Sequence, residues 1–380
     1  MHSPVPRMED VGRETSRSQG YFHLGYLPAL DGLRGIFILL VIAYHVVIVD
    51  SSGSSGFMQG GFLGVDGFFV LSGFLITVLL LQEWNRSSII HLREFYARRA
   101  LRLLPALVVF LLIASIYVLI APIGAEAENI RRDILPILFY HLNWIYALNN
   151  LQGSIINHTW SLSVEEQFYF AWPLVLIGIL RLMNRRRQVI VLVLTGIIAS
   201  ALLRVVLWSR GATVLRLYLG LDTRADALLV GCLIALLASW GMLARSPRVL
   251  TLIRILAVLS TLVYGCLVVM ASFGSEFLAL GGLTLTAVAV GFIIIMLISA
   301  PIQLFTRSLG IAPLVWIGKI SYGLYLWHYP IFIILSPLRL GLPLIVGLGL
   351  QFGVTLAIAT FSFYFIERPF LALKSGFRTA

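Results

Sequence analysis

Ten apolar runs, each about 20 residues long, recur along this sequence with short polar segments between them. A helix of that length crosses the hydrocarbon core of a bilayer. Because 59% of the residues are hydrophobic and only 12% are charged, the chain cannot cover a water-soluble fold with polar groups. The composition excludes a soluble enzyme, a disordered protein and a nucleic-acid-binding protein. The runs lie at 33–50, 62–82, 98–121, 163–181, 188–208, 225–241, 251–273, 277–300, 314–336 and 343–366.

The basic residues orient these runs. With ten spans and a cytoplasmic N-terminus, 21 of the 28 Lys and Arg residues fall on the inner side, as the positive-inside rule requires. Segment 134–148 is shorter and contains His141 and Asn143. We expect it to be re-entrant or interfacial, because a span there would carry Arg185 and its two arginine neighbours to the outer side.

We therefore predict an all-α, polytopic integral membrane protein with about ten transmembrane helices and both termini in the cytoplasm. Residues 1–27 are expected to form a disordered cytoplasmic tail without a cleaved signal peptide. Residues 28–370 are expected to form one membrane domain, and 371–380 a short cytoplasmic tail. Cys232 and Cys266 both lie in apolar runs, so we expect neither a disulfide framework nor a metal site.

The first span carries two polar residues on one face. Arg34 and His45 are eleven residues apart, which on a helix corresponds to about 20° of rotation and roughly 16 Å of rise. Charged groups at bilayer depth are costly and therefore mark candidate sites. His45 could be a buried histidine bonded to a neighbouring helix, but its alignment with Arg34 favours a function. Imidazole suits a general base near neutral pH.

A glycine-rich segment, 60–74, begins the second span. Glycines at this density let helices approach closely, and helix packing and direct substrate contact both remain open as explanations. Asp66 lies within the segment and needs a partner, which we expect to be His45 because it lies toward the same outer side.

Arg98 and Arg102 open the third span with an i, i+4 spacing that places them on one helix face. Such a pair can bind phosphate. Positive-inside charge alone is the alternative explanation for the cluster.

A polar segment, 157–169, precedes and enters the fourth span. Ser161 or Ser163 could cap the helix, with Glu165 and Glu166 in its first turn. Because the segment also contains histidine and tryptophan, we favour a role on the outer, substrate-facing side.

Two further charged clusters have structural and functional interpretations. Asp222, Arg224 and Asp226 begin the sixth span, and a mutual salt-bridge cluster is as plausible as a site. Glu367 and Arg368 end the tenth span, where we expect a structural ion pair.

The ninth span is expected to be broken by segment 321–330, which contains His328 and Pro330. His328 could satisfy backbone carbonyls freed by the proline, or it could belong to a site.

Together these segments resemble the acyltransferase 3 family of integral membrane O-acyltransferases, in the order and spacing shown by that family. The resemblance covers about residues 28 to 370. The matching segments are LDGLRG, with ten residues between its Arg34 and His45, GGFLGVDGFFVLSGF, FYARRALRLLP, HTWSLSVEEQFY, DTRADAL, SYGLYLWHYP and IERP.

The resemblance implies transfer of an acyl group, often acetyl, from acyl-CoA to a hydroxyl. Acceptors in the family are carbohydrates or glycosylated compounds: envelope polysaccharides, glycolipids or glycosylated antibiotics. It also implies a prokaryotic plasma membrane protein, in contact with lipid, that binds no permanent cofactor and no metal. Many relatives carry an additional extracytoplasmic esterase-like domain. Because the sequence ends at Ala380, we expect the membrane domain to handle the acyl group alone or to pass it to another protein.

Carried over residue by residue, the family pattern makes His45 the catalytic base and Arg34 its partner toward the CoA side. It implies contacts from Arg98 and Arg102 to the CoA phosphates. Glu165 and His158 are assigned to the acceptor side, and Glu165 is expected to be a catalytic group there. The remaining predicted site residues are Asp66 as a catalytic group and, as substrate contacts, Trp160, Ser161, Tyr169, Asp226 and His328, with Trp160 or Tyr169 steadying the oxyanion.

Two rival interpretations remain at this stage. Intramembrane Arg, His and Asp residues could form a proton relay in an exporter of a small glycoside or lipid. The halves of the sequence show no matched pair of broken spans, which argues against an inverted-repeat transporter. A scaffold without activity is disfavoured, because it would gain nothing from keeping costly charged residues.

Overall fold

The computed structural model describes residues 24–50, 58–120, 124–149, 151–183, 185–243 and 246–373, and all their regular structure is helical. The all-α, polytopic fold class is thereby confirmed. The helices are α1 (Pro28–Asp50), α2 (Gly64–Ser87), α3 (Leu92–Ile120), α4 (Ala125–Leu138), α5 (Leu142–Asn149), α6 (Trp160–Leu182), α7 (Arg186–Ser209), α8 (Val214–Leu219), α9 (Leu221–Ser239), α10 (Pro247–Met270), α11 (Leu283–Ser299), α12 (Gln303–Leu309), α13 (Ala312–Lys319), α14 (Ser321–Ile334), α15 (Pro337–Leu340), α16 (Leu344–Phe361) and α17 (Arg368–Ala372). Most of the predicted N-terminal tail (1–27) and C-terminal tail (371–380) lies outside the described residues.

Each of the ten predicted apolar runs lies on helix. Within the described ranges, seven helices are long and apolar enough to cross a bilayer. The other three runs fall short for identifiable reasons: α6 and α9 carry charged residues near their starts, and α13 and α14 are separated at Ile320. The count of ten spans therefore stays a prediction.

Segment 134–148 is not one continuous helix. α4 ends at Leu138, α5 begins at Leu142, and Tyr140 between them has a left-handed φ of 53°. α5 has 8 residues and is therefore only about 12 Å long. Two short helices joined by a sharp turn agree with a segment that does not cross the bilayer.

Glycines bring α2 into backbone contact with α9. A Cβ on Gly73 would lie 1.9 Å from the carbonyl oxygen of Leu228, and one on Gly231 would lie 2.0 Å from that of Val70. The glycines of segment 60–74 pack against neighbouring helices in this way and line neither of the two main cavities described below. Helix packing is therefore the explanation for the glycine-rich segment.

α14 is the buried centre of the bundle and packs against α1, α3 and α16. The break expected within segment 321–330 lies just before it, at Ile320, and Pro330 is inside α14. We call the end of the bundle that carries 88–91 and 300–302 the inner end, and the end that carries 271–277 the outer end. α1 and α14 both run from the inner end toward the outer end.

Candidate active site

Two cavities enter the bundle from its opposite ends. The inner cavity has a volume of about 1140 Å³ and extends from the inner end to the middle of the bundle, between α2, α3, α6 and α14. The outer chamber has a volume of about 260 Å³ and lies between α1, α14 and the segment before α6. Val65 and Tyr325 line both cavities, so these two side chains form the neck between them.

Arginines dominate the polar wall of the inner cavity. Arg34, on α1, donates a hydrogen bond from Nη2 to Ser321 Oγ at 3.0 Å, and Arg102 lies on the opposite wall, on α3. Within the described residues, neither guanidinium forms an ion pair with a carboxylate. Arg34, Arg86 and Arg102 outnumber Glu165, which is the one carboxylate of the described lining without an ion pair. Since an intramembrane cation needs a counter-charge, this excess of positive charge suits an anionic ligand.

Two other arginines of this wall are engaged with carboxylates. Arg98 lies 3.5 Å from Glu83 and 3.6 Å from Glu94. Arg99 donates to Glu166 at 3.1 Å and stacks over the ring of Tyr169, with Cζ 3.5 Å from the ring centroid. Arg98 and Arg102 thus share the cavity wall as their spacing predicted, but their surroundings differ.

Segment 157–169 is divided between the two cavities. Ser161, Glu165 and Tyr169 recur with helical spacing on α6 and line the inner cavity, whereas His158 and Trp160 line the outer chamber. Glu165 accepts a hydrogen bond from Ser72 at 2.8 Å. The prediction that Glu165 and Tyr169 belong to the outer, acceptor side was therefore wrong, because α6 begins deep in the bundle.

Helix capping does not explain the serines of this segment. Thr159 is the N-cap residue of α6 and makes no side-chain cap. Ser161 Oγ instead lies 2.6 Å from the hydroxyl of Tyr325, which also donates to the carbonyl oxygen of His158. Tyr325 is thus held across the neck by two hydrogen bonds.

Aromatic side chains enclose the outer chamber. His45 and Tyr44 from α1 face Tyr329 from α14, and Trp160 packs against Tyr218 with ring centroids 5.1 Å apart. The described residues that line the chamber include no carboxylate. Flat apolar faces with a few polar edges suit an uncharged, hydroxyl-bearing ligand such as a sugar.

Three histidines meet at the inner wall of this chamber. His45 Nδ1 lies 3.1 Å from His328 Nε2, and the rings of His328 and His158 have centroids 5.3 Å apart. His328 is fully buried and lines neither the inner cavity nor the outer chamber. His328 therefore lies behind His45 rather than on the chamber wall, where the expected substrate contact would place it.

Pro330 frees a backbone carbonyl, but His158 takes it rather than His328. The proline lacks the N–H that would bind the carbonyl of Leu326, four residues earlier. His158 Nε2 lies 3.2 Å from that oxygen. This contact fixes the segment before α6 against the middle of α14.

Asp66 on α2 and Asp226 on α9 are held in buried ion pairs. Asp66 pairs with Arg224 at 2.7 Å, and Asp226 pairs with Arg204 at 2.9 Å; all four side chains are buried. Neither aspartate lines the two cavities. The predicted Asp66–His45 partnership was wrong, because Arg224 on a neighbouring helix pairs with Asp66. The catalytic role expected of Asp66 and the substrate contact expected of Asp226 stay predictions.

The clusters at Asp222 and at the end of the last run also differ from expectation. Asp222 pairs with Arg216, so Asp222, Arg224 and Asp226 form three separate ion pairs rather than one cluster. Glu367 accepts a hydrogen bond from Ser362, and the expected pair with Arg368 is not formed.

The outer chamber is supported by a buried network on α4 and α5. Asp133 accepts hydrogen bonds from Tyr146 and from Ser154 Oγ, the latter at 2.6 Å. Burial raises the pKa of Tyr146, and its hydrogen bond to Asp133 raises that pKa further. Tyr146, which lines the chamber, is therefore protonated at neutral pH and holds this wall in place.

Sequence reasoning missed Ser72, Arg99, Ser321 and Tyr325 as members of the site. All four lie inside segments that had already been singled out. Helical periodicity could have found two of them, because Ser321, Tyr325 and His328 are spaced i, i+4 and i+7 and share one face of α14.

The chain is similar to a known protein family over nearly its whole length. A family model described as "Acyltransferase domain" (Acyl_transf_3) matches residues 27–367. The chain belongs to the acyltransferase 3 family. The resemblance inferred from the sequence motifs is thereby confirmed. No solved structure matches the chain.

Several bacterial members of the acyltransferase 3 family are similar over most of this chain. The peptidoglycan O-acetyltransferase OatA of Listeria monocytogenes is 37% identical over 365 residues, covering 93% of this chain and 56% of the relative. The putative peptidoglycan O-acetyltransferase YrhL of Bacillus subtilis is 35% identical over 369 residues, 94% of this chain and 56% of the relative. The O-acetyltransferase OatA of Staphylococcus aureus is 33% identical over 378 residues, 96% of this chain and 60% of the relative.

The chain thus spans a little over half the length of these curated relatives. Its family membership and apolar helices identify it as a protein of the bacterial plasma membrane with several membrane-spanning helices.

Proposed function

We propose that this protein is a membrane O-acyltransferase that takes an acyl group, most simply acetyl, from acyl-CoA and transfers it to a carbohydrate hydroxyl. In this proposal the inner cavity binds the donor from the cytoplasm and the outer chamber binds the acceptor. The relatives' names, which include peptidoglycan O-acetyltransferases, favour a cell-wall polysaccharide as the acceptor class.

The observation that carries the proposal is the excess of arginines without ion-pair partners in the described lining of the inner cavity. Arg34 and Arg102 face a cavity that is large enough for an extended ligand and opens at the arginine-rich end of the bundle. Guanidinium groups bind phosphate oxygens with charge-assisted, often bidentate hydrogen bonds. The phosphates of CoA would supply the missing counter-charge.

The residues of α2 that line the inner cavity support an extended donor. Residues from Arg86 to Phe68 line the cavity along one face of this helix, over a rise of about 27 Å. The face is polar at the inner end, is apolar at Leu79 and Leu75, and reaches the neck at Val65. It suits a ligand with a charged head, a long thin arm and a reactive end, which is the form of acyl-CoA.

The outer chamber supports transfer to a sugar hydroxyl. His45 lines this chamber beside the neck residue Tyr325, so it can take the proton of a hydroxyl that attacks a thioester brought to the neck. Trp160 lines the same chamber and stays our candidate donor to the oxyanion. Aromatic walls would stack on the apolar faces of the sugar.

The test uses detergent-purified protein, acetyl-CoA and peptidoglycan fragments, with release of the free CoA thiol as the readout. We expect acceptor-dependent release that is lost in His45→Ala. Arg102→Ala should raise the KM for acetyl-CoA about 10- to 100-fold, because it removes charge-assisted hydrogen bonds to phosphate. Arg248→Ala is the matched control, since Arg248 is an exposed inner-end arginine outside both cavities.

A second donor identifies the group that Arg102 binds. Acetyl-pantetheine carries the same thioester but no phosphate, so the effect of Arg102→Ala on KM should disappear with it. An equal loss with both donors would contradict phosphate binding. Absence of CoA release from folded wild-type protein with every acceptor, together with export of a glycoside from loaded vesicles, would favour the exporter instead.

A further inference from the structure

We propose that His328 is a positioning residue, which holds His45 in the tautomer needed for a general base and stabilises the positive charge that His45 acquires. The inference rests on the proposed function. His328 is fully buried behind His45 and lines neither cavity, so it acts on the reaction only through His45.

Backbone carbonyls determine the tautomer of His328. Its Nδ1 lies 3.0 Å from the carbonyl oxygen of Leu324 and 2.8 Å from that of Tyr325. A carbonyl oxygen only accepts hydrogen bonds, so Nδ1 carries the proton and donates. In a neutral imidazole the other nitrogen, Nε2, is then an acceptor.

This acceptor in turn determines the tautomer of His45. His45 Nδ1 lies 3.1 Å from His328 Nε2 and 2.9 Å from the carbonyl oxygen of Val41. Both neighbours are acceptors, so the proton of neutral His45 is on Nδ1. The Nε2 of His45 is left with its lone pair available to take a proton.

The reaction then balances without any further reactant. The acceptor oxygen attacks the thioester carbonyl carbon while His45 Nε2 takes the hydroxyl proton. The C–S bond breaks as the new C–O ester bond is completed. The sulfur leaves as a thiolate and receives the proton from His45 Nε2, which releases CoA as a free thiol and restores neutral His45.

Between these two proton transfers His45 is a cation in a chamber whose described lining has no carboxylate. Its neighbours there are the neutral rings of Tyr44, Tyr329 and His158. The hydrogen bond from Nδ1 to His328 Nε2 spreads the charge toward a ring that is itself anchored by two carbonyls. An aspartate has this function in the Ser-His-Asp triad; here a neutral histidine replaces it, as suits a site inside the bilayer.

The test compares two substitutions of His328, one that removes the hydrogen-bond acceptor for His45 Nδ1 and one that keeps such an acceptor. His328→Leu removes it, and we expect kcat to fall about 10- to 100-fold, the effect of losing a hydrogen bond to a charged group. The KM for acetyl-CoA and for the acceptor should not change. His328→Gln places an amide oxygen near the position of Nε2 and should recover most of kcat.

The pH profile supplies a readout that a purely structural role would not move. Loss of the acceptor disfavours protonated His45, so its kinetic pKa falls and the acidic limb of the kcat profile shifts to lower pH in His328→Leu. The limb should stay in place in His328→Gln and in the control His141→Leu, whose histidine is exposed at the turn between α4 and α5.

A His328→Leu protein with wild-type kcat, or with a raised KM and an unchanged kcat, would overturn the positioning role proposed for His328. If His328→Leu does not fold, as judged by gel filtration and binding of CoA, His328→Asn serves instead, because its shorter side chain cannot reach His45. Wild-type protein that releases no CoA contradicts the proposed function itself. Wild-type protein that releases CoA, together with a His328→Leu variant of unchanged kcat, contradicts only the role proposed for His328.

Discussion

At the scale of single residues, buried charge in this protein serves two different purposes. Arg204 is satisfied by Asp226, by Thr284 and by the carbonyl oxygens of Thr223 and Ala279. Arg34 and Arg102, in contrast, face a cavity and have no carboxylate partner in the described part of the chain. The first kind of arginine holds helices together, and the second is available to a ligand.

The Asp66–Arg224 pair allows the contribution of a buried ion pair to the stability of the protein to be measured. Asp66→Ala should lower the free energy of unfolding by about 3–5 kcal/mol, because it leaves a buried guanidinium without its counter-charge. The double variant Asp66→Leu with Arg224→Met should recover most of that loss, since an apolar pair often replaces a buried ion pair at no cost. Thermal unfolding of the detergent-purified protein checks both.

Asp222→Ala is the matched control for this experiment. Its pair with Arg216 is partly exposed, so its loss should change the free energy of unfolding by less than about 1 kcal/mol. Equal destabilisation by Asp66→Ala and by the double variant would contradict the ion-pair explanation.

At the scale of helices, the site depends on how closely a few backbones approach. α2 supplies one wall of the inner cavity, and its position is set by the Gly73 and Gly231 contacts with α9. α14 carries Ser321, Tyr325 and His328 on one face. A single helix therefore contributes to the wall of the inner cavity, to the neck and to the contact between His328 and His45. A shift of either helix would alter both cavities together.

Gly73→Leu tests this packing. The new side chain would meet the backbone of Leu228, which cannot move aside, so we expect destabilisation at or above the usual 1–3 kcal/mol for overpacking. Gly265→Leu is the matched control, because a Cβ on Gly265 meets nothing within 4 Å. The yield of monodisperse protein and its unfolding temperature report the difference, and equal values for the two variants would refute the close-contact explanation.

At the scale of the whole molecule, the two cavities give the protein two differently built ends. The inner cavity is cationic and suits a soluble, phosphate-bearing donor, whereas the outer chamber is aromatic and suits a sugar. They meet at Val65 and Tyr325. In the proposed reaction only the acyl group has to pass this neck, while CoA and the polysaccharide stay on their own sides of the membrane.

Single-cysteine labelling tests this orientation and the number of spans. In a background with Cys232 and Cys266 replaced by Ala, we introduce Arg93→Cys, Ser272→Cys or Ser308→Cys, all at exposed positions. A membrane-impermeant maleimide should label Ser272→Cys in intact cells, and the other two only after permeabilisation. Opposite accessibility of Arg93→Cys and Ser308→Cys would mean that segment 134–148 spans the bilayer, since the chain between them would then cross an odd number of times.

Much of the site could be predicted because its residues lie in polar segments that are costly in a membrane. His45, Arg34, Arg98 and Arg102 stood out for this reason, and the structure places all four on cavity walls. What could not be predicted is which polar residues neutralise one another. Asp66 and Arg224 are 158 residues apart, and nothing local in either segment indicates that they pair.

The sequence by itself determined the solvent, the class and the family of this protein: its apolar runs require lipid, and its motifs occur in the order of a known family. Only the tertiary structure decided the division of labour among the polar residues. It placed Glu165 and Tyr169 on the inner cavity, paired Asp66 and Asp226 with buried arginines and placed His328 behind His45. The physical reason is that the energy of a buried charge depends on its nearest partner, and in the Asp66–Arg224 and Asp226–Arg204 pairs that partner lies on another helix.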